Sequence, residues 1–389
     1  MDKDRIDSVL EEFLKDQELQ DQREKKKHEL ELKKARRQKT LNKVKTTAIV
    51  ALIVAALVFN PYNVRKLKDY RQQQRPREEY LITYNYSQGM QVIPFNENIL
   101  IYDSSNLRLL KPSGEEMFNV NLLLDSWDLE VSGKNIYLLD KVEKTLYFIS
   151  SKGEFKNNAQ LANLPQKITA GANGALAVYY TTDVGVEGTV FFNSDGKQIQ
   201  DLNFPKISIT AVEVNDKNQF TVHGIYRLAT TLTNNVYHYS SEGKLIYSSE
   251  IKDAIVIDQI DMKDRYMLVD INNLIMLKNN TNEEMFRIST TIPFISVQLH
   301  ENLIYAVDRR NKMTVIDLDG NLVDEKYYQG DFTGITWLGD EMIFYSKDYI
   351  KNADTQLKFA KPIEKIIHVG NHIGIVMKGE IKLINRIMQ

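Results

Sequence analysis

The side chains able to do chemistry in this 389-residue chain are few and scattered. Six histidines are present: His28, His223, His238, His300, His368 and His372. His368 and His372 stand four apart, but the Val-Gly-Asn between them reads as a turn joining two strands. They therefore do not share a helix face as a zinc-binding pair would. Asp103, Asp140, Asp270 and Asp308 recur and could suggest a ring of carboxylates. Each stands just before a turn, so its side chain is expected to accept hydrogen bonds from turn amides. Trp127 and Trp337 are expected to pack in the core or between repeats rather than to stack on a ligand. No Gly-x-Ser-x-Gly elbow, phosphate loop, dinucleotide fingerprint or calcium loop occurs. No catalytic, cofactor-binding or metal-ligating residue is assigned, no cofactor is expected, and the expected class is a non-enzymatic one.

The elements that must position these residues fall into four parts. Thr46 to Phe59, TTAIVALIVAALVF, is free of charge and ends at Asn60-Pro61. The strict apolar run is about 14 residues, short for a spanning helix. Extension from Val44 to Tyr62 gives about 19, with Lys45 reaching the headgroups and Tyr62 suited to the interface. Residues 46–62 are therefore expected to form one transmembrane helix within a long N-terminal helix. About 11 Lys or Arg against about 3 acids between Arg23 and Lys45 place residues 1–45, a charged helical tail, in the cytoplasm. Its first 22 residues repeat Ile6, Val9, Leu10, Phe13 and Leu14 on one helical face, which could dock on a cytoplasmic partner. Its basic run lacks interleaved aromatics, so lipid headgroups rather than nucleic acid are its expected partner. Residues 63–79 form a polar juxtamembrane stalk punctuated by Pro61 and Pro76. The absence of cysteine excludes disulfides and a cysteine-borne lipid anchor.

From Tyr80 the period changes from helical to alternating, and a repeat emerges. LRLLKPSGEEMF, LYFISSKGEF, VFFNSDGKQI, VYHYSSEGKLIY and MTVIDLDGNLV are hairpins, each with a glycine at its turn. LIMLKNNTNEEMF substitutes Asn282, the residue that next best tolerates positive φ. Gly114, Gly153, Gly196, Gly243, Asn282 and Gly320 follow one another at spacings of about 40 residues, the length of a propeller blade. Before each hairpin lies another strand: NILIYD, NIYLLD, GALAVYY, QFTVHGI, RYMLVD, NLIYAVD, EMIFYS and HIGIVM. Residues 80–389 are thus expected to form an all-β propeller of eight, alternatively seven, four-stranded blades. The last unit has only three strands, so EYLITYN at Glu79 is expected to supply its fourth and close the ring.

This strand, Asp, strand, Ser-x-Gly, strand recurrence resembles the divergent tryptophan-aspartate-type and quinoprotein-type propellers. It lacks the Gly-His and Trp-Asp pairs of the first and the cofactor ligands of the second. The chain as a whole is similar to single-pass bacterial membrane proteins that carry an extracytoplasmic propeller. That resemblance implies a protein-binding platform in the cell membrane, part of an envelope complex, with the N-terminus cytoplasmic. A small-molecule or glycan receptor, or an enzyme, with its site at the central channel is the alternative.

Overall fold

A computed structural model describes residues 79–387 other than 88, 227–232, 263, 280, 354 and 386. Contacts divide the chain between Pro76 and Arg77. The tail, transmembrane segment and stalk expected before Glu79 lie outside the described residues. Among the described residues no helix is long and apolar enough to cross a membrane.

Among the described residues, alternating β-branched and aromatic residues bounded by turn residues give strands and no helix, in eight four-stranded antiparallel sheets. Seven are consecutive in sequence: blade 1 over 91–121, blade 2 over 127–160, blade 3 over 164–204, blade 4 over 207–252, blade 5 over 258–289, blade 6 over 294–327 and blade 7 over 334–358. Blade 8 takes Ile363–Val369, His372–Met377 and Glu380–Ile384 and is completed by Glu79–Thr83. Glu79 pairs with Ile384 and Thr83 with Glu380, so the two ends of the domain share one sheet as expected. Blade 7 is the short unit, its third and fourth strands Tyr349–Lys351 and Gln356–Lys358 having three residues each.

The first strands of blades 8, 1, 2, 3 and 4 touch in succession, as do those of blades 6 and 7, which makes the first strands the innermost ones of a ring. Both faces of each sheet then meet a neighbour, and the core consists of the seams. Ile99 and Ile101 of blade 1 meet Ile381 and Leu383 of blade 8. Tyr137 and Leu139 of blade 2 meet Ile168 and Leu176 of blade 3. Phe191 of blade 3 stacks on Phe220 of blade 4 at 4.1 Å between centroids. A fully buried aliphatic or aromatic side chain of this kind contributes about 1.5–3 kcal/mol.

Antiparallel order sorts the turns onto two faces. Turns between first and second strands and between third and fourth strands share one end of every blade, here the turn face. Turns between second and third strands share the other end with the blade-to-blade connections, here the connection face. The connections are bonded to those turns: Leu122 N–H donates to Ser105 O, Leu161 to Lys144, Thr290 to Asn272 and Tyr328 to Asn311. On the turn face Ser151 N–H donates to Lys134 O and Asn279 to Asp264. The hairpin glycines sit on the turn face, Gly153 at φ 80° with Asn282 substituting at φ 54°. A Cβ on Gly153 would come within 2.9 Å of Phe118 as well as straining that turn.

The four recurring aspartates cap turns on the connection face. The Asp140 carboxylate accepts from Val142 and Glu143 N–H, both at 2.9 Å, and Asp308 accepts from Arg310 at 2.8 Å and Lys312 at 3.0 Å. Asp103 accepts from Asn106 N–H at 2.8 Å and Asp270 from Asn272 at 3.2 Å. Asp140 is buried, so Asp140→Ala leaves two amides without their acceptor. We expect a loss of about 1–2 kcal/mol in urea unfolding, with Asp140→Asn recovering most of it.

Candidate functional site

The innermost strands of blades 2 to 5 carry charged residues where most seams are apolar. In blade 2, Trp127, Leu129 and Val131 of Trp127–Ser132 pack with blade 1. The alternate residues Asp128 and Ser132 reach blade 3, through Ile168 N–H to the Asp128 carboxylate at 2.9 Å and the Ser132 hydroxyl to Gly171 O. Glu130 lies between them on the same strand side. It interacts electrostatically with Lys167 of blade 3, Glu213 of blade 4 and Lys365 of blade 8. Groups on blades that do not touch can couple in this way only across a shared lumen.

That lumen gathers Asp128, Glu130, Glu213, Asp258 and Asp261 against Lys167 and Lys365. Burial first, then the charge of Asp128, pushes the Glu130 carboxyl up to about 7, while Lys167 and Lys365 draw it back. Burial, then Asp258, pushes Glu213 likewise to about 7, with Asp261 and Glu130 adding to the rise and Lys167 opposing it. Asp258 and Asp261 are reachable by water, yet the enclosing walls still hold both above the ordinary carboxylate range. A smaller cavity of about 200 Å³ lies beside Lys167 and Glu213. These residues were passed over in the sequence, although carboxylates at alternate positions of WDLEVS and in DQID are the legible signal once those strands are known to be innermost.

The seam between blades 4 and 5 departs from the others. At its connection-face half it is apolar, with Val236, Ile251, Val256 and Leu268. At its turn-face half Thr221, His223 and His238 face Gln259 and Tyr266. The Tyr266 hydroxyl donates to Asn282 Oδ1 and lies 3.4 Å from His238 Nε2, and the Thr221 hydroxyl meets His238 Nδ1 at 3.0 Å. Burial lowers His238 to about 4 and His223 to about 3, so both rings are neutral at physiological pH. His223 Nε2 meets Gln259 Oε1 at 3.0 Å, while its Nδ1 is buried with no hydrogen-bond partner. Beside this network lies a cavity of about 590 Å³.

The remaining histidines are dispersed, as expected from their spacing. His300 of blade 6 stacks on Trp337 of blade 7 at 3.7 Å, and Trp127 meets Tyr102 edge-on at 5.1 Å, so both tryptophans bridge blades. His372 lies edge-on to Tyr80, and His368 Nε2 meets the Thr336 hydroxyl at 2.7 Å. That last pair is the arrangement nearest to a nucleophile and base, but Thr336 is buried and no carboxylate bonds the imidazole to orient it. His28 lies outside the described residues. Among the described residues, one group places three potential metal ligands within 4.8 Å of one another: His300, Glu301 and Asp340, on the turn face.

Exposed large apolar side chains divide unevenly. Tyr86, Leu123, Val142, Leu164, Val184, Tyr226, Ile257 and Ile271 all belong to the connection face, with Leu123 75% and Val184 85% exposed. The others lie along outermost strands, among them Leu81, Phe155, Leu245 and Leu322. Among the described residues, no turn of the turn face carries one.

Residues 70–385 match the family described as "Family of unknown function (DUF5711)". No curated protein matches the chain. Among solved structures, BamB from Moraxella catarrhalis aligns with TM-score 0.54 at 10% identity, covering 78% of this chain and 99% of that one. Sqt1 of Saccharomyces cerevisiae aligns at 0.58 and 10% identity, over 80% and 98%. The computationally designed Ika8 protein aligns at 0.58 and 9% identity, over 80% and 100%. At such identities the likeness is one of fold.

Proposed function

We propose that this chain, which belongs to the DUF5711 family of unknown function, is a non-enzymatic docking module whose connection face binds another protein. The observation that carries this reading is the one-sided placement of its exposed apolar residues. Scattered singly such residues mean little, but eight of them on one face of a disc, rimmed by the aspartate-capped turns, have the composition of a docking surface. The strand that receives the preceding chain, Glu79–Thr83, begins at the turn face. In this reading residues 46–62 anchor the protein in the cell membrane, residues 1–45 remain in the cytoplasm, and the propeller stands outside it as part of an envelope complex.

A photoreactive residue placed at Leu123 or Val184 in intact cells is expected to give discrete protein adducts, and one at Lys134 or Asp216 on the turn face none. Adducts of equal yield from both faces, or none from the connection face, overturn the reading. A reporter fused after Gln389 should be accessible from outside the cytoplasmic membrane.

A further inference from the structure

The seam between blades 4 and 5 gives up apolar packing where its neighbours keep it. In blade 2 the side chains turned to the next blade are Tyr137 and Leu139, and in blade 5 they are Met267 and Val269. In blade 4 they are Thr221 and His223. A local break in an otherwise consistent core is where function is to be sought. Here the break coincides with a cavity of about 590 Å³, within the range that holds small molecules.

The cavity wall selects a charge type. Among the described residues Asp216 and Asp261 contribute two carboxylates to the wall and Lys217 one ammonium, while His238 is neutral, so these residues are net negative before the lumen is considered. Glu213, which couples to both Asp258 and Asp261, extends the negative potential inward. Asp261 accepts one hydrogen bond, from Gln259 Nε2 at 2.7 Å. It is held above the ordinary carboxylate range by burial and then, against that bond, by the like charge of Asp216. The aromatic wall lies close by: Tyr266 interacts with both Tyr247 and Asp261, and the His238 and Tyr247 rings are 4.3 Å apart. Paired carboxylates beside a tyrosine ring suit a cation with an apolar shell, since ring faces and carboxylates both attract it. A bare divalent ion is a poorer fit, because no three carboxylate or imidazole ligands converge in this cavity among the described residues.

We propose that the cavity between blades 4 and 5 binds a small organic ammonium ion, its charge held by Asp261 and Asp216 and its alkyl groups against Tyr247. The site opens on the turn face and is independent of the apolar connection face. Free amines and the headgroups of choline lipids share this chemistry.

The test is calorimetric titration of the full chain in dodecyl maltoside with choline, putrescine, short-chain dibutyroyl phosphatidylcholine and 3,3-dimethylbutanol, the neutral isostere of choline. Saturable binding of choline or putrescine with Kd below roughly 1 mM is expected, and none of the isostere. Asp261→Asn should weaken binding by about tenfold and Tyr247→Leu by about fivefold, with Asp195→Asn in blade 3 unchanged. Tighter binding of the phosphatidylcholine than of choline assigns the natural source to a lipid headgroup, and the reverse to a free amine; both uphold the site. Absence of saturation by either ammonium at roughly 10 mM, or equal binding of the isostere, overturns it. Should Asp261→Asn fail to fold, Tyr247→Leu and the isostere carry the test.

Discussion

Removal of residues 77–84 from the propeller, leaving 85–389, is expected to lower its unfolding free energy by about 6 kcal/mol. The strand Glu79–Thr83 is the outer strand of blade 8, paired through all five residues with Glu380–Ile384. Ile82 and Tyr84 are buried, and Tyr80 packs against the same cluster. The Tyr84 hydroxyl donates to Met377 O at 2.7 Å, and Lys382 Nζ meets the Glu79 carboxylate at 2.5 Å. Loss of a buried Ile and a buried Tyr each costs about 3 kcal/mol, and the exposed strand edge adds an aggregation hazard. Urea unfolding of residues 77–389 against 85–389 measures the difference. Midpoints that agree would mean that the ring does not depend on its closing strand.

The second large effect is electrostatic. Glu130 and Glu213 titrate near 7 in the folded chain, so between about 4.5 and 7 the folded state holds protons that the unfolded state has released. Their contribution therefore becomes destabilising as pH rises through that window, by up to about 3 kcal/mol each, less in sum because the two groups interact. His223 and His238 act in the opposite sense. Their folded values lie below the unfolded 6.5, so stability falls as pH drops from about 6.5 towards 4. In the native chain the two slopes oppose each other. Glu130→Gln with Glu213→Gln is expected to stabilise the propeller by about 4 kcal/mol at pH 8 and by almost nothing at pH 4. The double variant should also expose the histidine slope, about 2.7 kcal/mol per pH unit between pH 5 and 6. Urea titrations at stepped pH decide the matter, and parallel curves for the two proteins would show that these carboxyls are not confined as described.

Much of the ring was legible because turns are local. The positive φ at Gly114, Gly153, Gly196, Gly243 and Gly320, with Asn282 in the sixth place, marks the hairpins by residue type alone. The capping role of Asp140 follows from its position before a turn. Closure through Glu79–Thr83 follows from counting three strands in the last unit, and eight blades prevail over seven because the truncated hairpin at Tyr349–Lys358 still forms. The lumen and the polar seam were hidden for the converse reason. Alternation tells which residues leave a strand on opposite sides, not which neighbour each side meets. That Glu130 feels Lys365, from the far end of the chain, depends on a ring already closed. His223 looks like any strand histidine until blade 5 lies against it.

Because the sheet completed by Glu79–Thr83 also contains Glu380–Ile384, the wheel cannot be closed until both ends of the domain have been made. Some 300 residues must wait with one blade incomplete and one seam unsealed, and contacts between such distant partners form slowly. A truncation before Glu380 would leave not a shortened propeller but an open one.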